Sequence, residues 1–266
     1  MHEKISVNTF VVRDLSLSSL INGLSSHGLT CATIPYTQLI GQQDSFSLLK
    51  DSDITVRSVV VPNSCSLRDS LSRETAYQAL QKGIELALEV DAPFVYTTSG
   101  SAQGLEWGPA LDMSVEVLGP AADLARKLGV TLLVENSSAM RADFGFCHTL
   151  HDTAELARNA GCGICADIGT CWTERDLRQV ITNEIESIDL VQLCDYRYGI
   201  TDAQCKETLG TGDMPLENFL DYFVEAGYTG CFDIELNGPH VRENDSFASM
   251  AQSVQWLEIQ LAGRGL

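Results

Sequence analysis

Residues 111–135, LDMSVEVLGPAADLARKLGVTLLVE, contain one full structural cycle. Apolar residues at helical spacing run from Leu111 to Leu128, and Gly129 stands where a helix should end. Thr131 to Val134 then form a short strand run that stops on the carboxylate of Glu135. Helix, glycine stop, strand and polar strand end make the repeating unit of an α/β fold.

The same cycle recurs on both sides of this stretch. Strand-like runs lie at Ile5 to Val12, Thr30 to Ile34, Ile54 to Val61, Phe94 to Thr98, Thr131 to Val134, Gly163 to Asp167, Asp189 to Cys194 and Cys231 to Leu236. Helical spacing follows each in turn, at Ser16 to Ser26, Ser45 to Asp51, Arg73 to Val90, Leu111 to Leu128, Asp152 to Ala160, Arg175 to Asn183, Leu216 to Ala226 and Phe247 to Ala262. Gly28, Gly161 and Gly227 repeat the punctuation of Gly129. Apolar stripes such as Ile84, Leu86, Ala87 and Leu88, or Phe219, Leu220, Phe223 and Val224, suit packing on a sheet. Eight βα units of about 30 residues each match a closed parallel barrel better than an open sheet, so the predicted fold is α/β, a single (β/α)8 TIM barrel over residues 1–266. No linker or low-complexity tract divides it.

Composition narrows the function. With 44% hydrophobic and 20% charged residues the chain builds a core and is not disordered. Its 36 acidic residues against 17 basic ones give a net charge of −19, a field that repels nucleic acid and anionic lipid and favours neutral sugars over sugar phosphates. Nine cysteines, an odd number spread through strands and helices, read as small buried hydrophobes in a reducing compartment. The start of the chain has no basic and apolar leader, and no run of about 18 apolar residues occurs, so the expected location is cytoplasmic, without membrane insertion.

In such barrels the chemistry gathers where the strands end. Those ends are acidic here: Glu135 closes LLVE, Asp167 closes ICAD and Glu235 closes FDIE, with Gln192 and Asp195 in LVQLCD. Converging carboxylates repel one another and resist desolvation, and a divalent cation removes that cost. Glu135, Asp167, Gln192 and Glu235 form an oxygen-only donor set, which suits Mn²⁺ or Mg²⁺, with Co²⁺ or Zn²⁺ as alternatives.

The motifs LLVEN (132–136), CADIGTCW (165–172), VQLCDYR (191–197), GTGDMPL (210–216) and AGYTGCFDIEL (226–236) make the chain resemble the xylose isomerase-like barrels. That family includes sugar isomerases and epimerases, inosose dehydratase and endonuclease IV. The resemblance implies that Glu135, Asp167 and Glu235 take its metal-ligand positions, and that Glu135 and Glu235 also flank the substrate as acid and base. It implies a polyhydroxylated ketone as substrate and pairing or tetramer formation through the helices. Two histidines of the family pattern are replaced: Thr170 ends the Asp-x-x-His motif, and Gln192 stands at the seventh-strand ligand. The glutamine resembles the bacterial 3-dehydroshikimate dehydratases, which keeps a lyase open.

Several residues have two readings each. Arg197 either reaches a substrate oxygen or pairs with Asp195, and Trp172 and Trp107 either stack on a sugar face or pack in loops. His148 and His151 read as capping or surface groups, and Asp213 as a cap for the helix near Pro215. Cys162 and Cys165 lack the second pair of a zinc site, and Gly210 to Asp213 lacks the lysine of a phosphate loop, leaving a mobile loop at the site. The leading expectation is a metal-dependent isomerase or epimerase that removes a proton beside a polarised carbonyl to give an enediolate. The alternatives are a lyase eliminating across 3-dehydroshikimate, an inosose or a 3-keto-glycoside, and a non-catalytic ligand-binding barrel. An endonuclease is disfavoured by five histidines and the acidic charge.

Overall fold

A computed structural model describes residues 1–199 and 205–266. Its strands are β1 (Ile5–Asn8), β2 (Cys31–Pro35), β3 (Thr55–Val60), β4 (Phe94–Thr98), β5 (Thr131–Glu135), β6 (Gly163–Asp167), β7 (Ile188–Leu193) and β8 (Cys231–Ile234). They pair in parallel in sequence order and close as β8 meets β1. The helices are α1 (Leu17–Ser26), α2 (Tyr36–Leu39), α3 (Phe46–Lys50), α4 (Ser70–Glu89), α5 (Trp107–Leu128), α6 (Leu150–Ala160), α7 (Ile168–Cys171), α8 (Leu177–Glu184), α9 (Leu216–Glu225), α10 (Pro239–Glu243) and α11 (Ser246–Ala262). The fold is a (β/α)8 barrel, as the alternation predicts.

Local chemistry accounts for the boundaries. Ser16, Asp69, Thr149 and Asp245 each accept a backbone N–H at the start of α1, α4, α6 and α11. Gly129 and Gly161 end α5 and α6 in the left-handed region, at φ 80° and 69°. The first strand is shorter than its apolar run. Asn8 accepts a bond from Phe10 N, and this cap turns Thr9–Val12 into a 3-10 turn instead of strand. Phe10 is thereby carried to the wall of the barrel mouth.

Side chains alternate across a strand, so every second residue points inward. Outward residues such as Val95, Leu132, Ile164, Val191 and Phe232 join the helices in the main core. Inside the barrel, Val60, Tyr96, Leu133, Cys165, Leu190 and Cys231 form a separate apolar layer. Two residues further along, the same inward parity delivers Glu135, Asp167, Gln192 and Asp233, and one more step up β8 delivers Glu235. The register sets Asp167 beside Gln192 and Gln192 beside Asp233.

Candidate active site

Beneath the mouth lies a hydrogen-bonded polar layer. Asp233, fully buried, accepts from Ser6 Oγ at 2.5 Å, Thr33 Oγ1 at 2.9 Å and Asn8 Nδ2 at 3.2 Å. Burial pushes its carboxyl up, and these donors pull it back. Asn8 Nδ2 also donates to Tyr96 Oη at 2.7 Å, and Gln192 Nε2 donates to the same oxygen at 3.0 Å. With its amide nitrogen so engaged, Gln192 leaves Oε1 buried and unpartnered, and Asp167 Oδ1 is in the same state. Buried oxygens without donors are uncommon and mark a place for a cation or donor.

Above this layer, ligand-type oxygens of Glu135, Asp167 and Glu235 all lie within 4.8 Å of one another. The oxygen-only donor set and the two orphaned oxygens fit a hard divalent ion. The structure also brings in a cation of its own: Lys206 Nζ lies 2.7 Å from Asp167 Oδ2 and 2.7 Å from Glu235 Oε2. Burial opposes the ammonium, but Asp167, Glu235 and Glu135 outweigh it and its pKa is raised. Glu135 stands outside that ion pair. Burial, then the Glu235 charge, hold its carboxyl well above the usual range. Glu235 is also raised by burial, with Lys206 opposing the rise. The two glutamates therefore meet across the cleft floor in unequal settings.

The cleft over this floor has an apolar wall of Phe10, Val60, Pro62 and Phe144. Thr98, Ser137, Ser138 and Thr170 supply hydroxyls, and Arg141 supplies a guanidinium held over the Phe144 ring at 4.0 Å. That mixture suits a small polyhydroxylated molecule. Lys206, Arg141, Phe10 and Tyr96 were not expected from the sequence. Strand parity alone would have found Tyr96 and Asp233, whereas Lys206 sits on a loop and Arg141 on a single 3-10 turn, with no periodic signal.

The structure gathers Glu135, Asp167 and Glu235 at the mouth, sets Gln192 in the layer beneath and beside Asp167, and places the other candidates elsewhere. Trp107 packs edge-on against Phe146 and donates to Glu155 at 3.3 Å, outside the cleft lining. Trp172 lies against Tyr196 and Tyr198, also outside the lining. Arg197 does not line the cleft, and its Nε is buried without a partner. The Asp195 carboxylate instead takes the backbone N–H groups of Tyr196, Gly212 and Met214, which pins the loop from Gly210 to Asp213. Asp213 accepts from Tyr198 N and does not cap α9. Thr170 accepts from Asn136 Nδ2 at 2.6 Å and donates to the Asp167 carbonyl, so it fastens the β6 turn. His148 meets the Ser137 carbonyl at 2.9 Å.

Among the described residues no helix is long and apolar enough to cross a membrane. A search of curated proteins finds no match. Among solved structures, a D-tagatose 3-epimerase-like protein superposes with a TM-score of 0.80 at 19% identity, covering 98% of each chain. The IOLI protein, solved with a zinc atom, gives 0.82 at 14% identity over 98% of this chain and 99% of its own. The 3-keto-D-glucoside 4-epimerase from E. coli gives 0.78 at 14%, over 97% and 100%. These likenesses carry the fold. The profile of one family matches residues 22–260, nearly the whole barrel, and the chain belongs to the xylose isomerase-like TIM barrel family.

Proposed function

We propose that the protein is an isomerase or epimerase of a polyhydroxylated ketone, a keto-sugar or close derivative, and that Glu135 and Glu235 move the proton. The observation that carries this reading is the meeting of these two carboxyl groups, in unequal electrostatic settings, on the floor of one hydroxyl-lined cleft. Glu235, whose charge a cation offsets whether Lys206 or a bound ion supplies it, is the group able to accept a C–H proton. Glu135, whose carboxyl is pushed well above the usual range by burial and by the Glu235 charge, is the group able to return one. Transfer between opposite sides of the substrate inverts a carbon, and return to the neighbouring carbon interconverts ketose and aldose.

Glu135, Asp167 and Glu235, with Gln192 Oε1, would hold a divalent ion, Mn²⁺ or Mg²⁺ by the hardness of the oxygens. Such an ion supplies Lewis acidity to a carbonyl or hydroxyl oxygen when bound. The apolar wall of Phe10, Val60, Pro62 and Phe144 excludes water from the reacting carbons, while Thr98, Ser137, Ser138 and Arg141 orient hydroxyl groups. The names of the epimerases that share the fold agree with this reading. Gln192 in place of the usual histidine favours elimination as the second reading.

The test is proton NMR of a keto-sugar panel that includes 3-dehydroshikimate, in D₂O with Mg²⁺ and the purified protein. An epimer or isomer carrying deuterium beside the carbonyl is the expected product. A new vinylic or aromatic signal would transfer the protein to the lyases, and neither exchange nor product across the panel would overturn both readings.

A further inference from the structure

Lys206 is built into the acidic cluster from both sides. Its carbonyl accepts from Asn237 N at 2.8 Å and Gly238 N at 2.7 Å, on the segment that leaves β8. The next residue, Glu207, exchanges two backbone bonds with Asp195, on the segment that leaves β7, at 2.9 and 3.0 Å. Glu207 is itself buried and meets His240 Nδ1 at 3.0 Å. Gly238 packs so close that a Cβ there would stand 2.4 Å from Glu207 Oε1. The lysine is 9% exposed, and its backbone is fixed between two strand ends. Its Nζ bonds the same carboxylates, Asp167 and Glu235, that a divalent ion needs. Asp167 Oδ1 and Gln192 Oε1, both buried, remain without a donor, so one ammonium does not satisfy the whole set.

We propose that Lys206 is a resident counter-cation of the barrel mouth, which a divalent ion must displace to bind, so that metal uptake is an exchange of one cation for another. The proposal rests on the reading that Glu135, Asp167 and Glu235 take a divalent ion. The lysine offsets the repulsion between Asp167 and Glu235 while the ion is away. It also sets a threshold on uptake, because binding costs the ion two charge-assisted hydrogen bonds made by Lys206. A lysine that served only to anchor its loop would set no such threshold.

The probe is Mn²⁺ alone, with the free ion read by electron paramagnetic resonance, on full-length wild type, Lys206→Met, Lys206→Gln and the charge-retaining Lys206→Arg. Lys206→Met and Lys206→Gln should bind Mn²⁺ at least tenfold more tightly than wild type, and Lys206→Arg should stay within threefold of it. In thermal scans without metal, the Met and Gln variants should melt below wild type, and Mn²⁺ should restore them by more than it raises wild type. Variants that fold only in the presence of Mn²⁺ would support the proposal equally, and variants that no ion rescues would overturn it. Equal Mn²⁺ affinity in wild type and the neutral variants would overturn it while leaving the metal-site reading intact. No Mn²⁺ binding by any of the four proteins would overturn both.

Discussion

Replacing Asp195 tests how the loop from Gly210 to Asp213 is held. The carboxylate is 1% exposed; Oδ1 accepts from Tyr196 N at 2.8 Å and Met214 N at 3.2 Å, and Oδ2 from Gly212 N at 2.8 Å. Asparagine of the same shape can keep the first two bonds, but its amide nitrogen then faces the Gly212 N–H. One unmet buried donor costs about 1–3 kcal/mol. At about 2–4 °C per kcal/mol for a chain of this size, Asp195→Asn should melt roughly 2–12 °C below wild type. Alanine strands all three donors. Water entering the vacated space limits the cost to about 3–5 kcal/mol, roughly 6–20 °C. Gly212→Ala attacks the same contact from the other side, since its Cβ would stand 2.3 Å from Asp195 Oδ1. The assay is differential scanning calorimetry of the three variants without added metal. An Asp195→Ala protein melting within 2 °C of wild type would refute the argument that these bonds hold the loop.

Other outcomes follow from the same physical reasoning. Burial lifts the Asp189 carboxyl to about 6, so its favourable contribution is complete below the unfolded value near 3.9 and is lost as pH rises through about 6. Asp189→Asn should therefore gain about 1–2 kcal/mol at pH 7.5, the full shift being discounted for its partial exposure, and close to nothing near pH 4. Thermal melts across that range check it, and a gain of equal size at both ends would contradict it. Cys147, Cys162 and Cys231 are each pushed up to about 12, first by burial. At pH 8 the native protein should react with DTNB far more slowly than the denatured chain, which exposes all nine thiols. Rapid native labelling of Cys162 would show that the thiol is more open than its packing indicates.

The alternation of strand and helix, the glycine stops and the acidic strand ends were legible in the sequence because each is a local signal with a fixed period. Glu135, Asp167, Gln192 and Glu235 could be found because they follow inward-facing residues by an even step along a strand. The end of β1 was misplaced because a single side-chain bond, Asn8 to Phe10 N, overrides a run of apolar residues. Lys206 was not legible at all. It enters the site through a loop whose course is set by backbone bonds to Asp195, Asn237 and Gly238, contacts between segments far apart in the chain. The Asp195 and Arg197 pair illustrates the same limit, since neighbours in sequence suggested an ion pair and the carboxylate instead serves three amides.

The central claim is that Glu135 and Glu235 exchange a carbon-bound proton of the substrate. Its most direct test is the rate at which deuterium enters beside the carbonyl of the best substrate of the panel, in wild type, Glu135→Gln and Glu235→Gln. Wild type should wash deuterium in, and Glu235→Gln should do so about 10²–10⁴-fold more slowly, the usual contribution of a positioned acid or base. Glu135→Gln should retain more exchange than product formation. Exchange at the wild-type rate in Glu235→Gln would contradict the account.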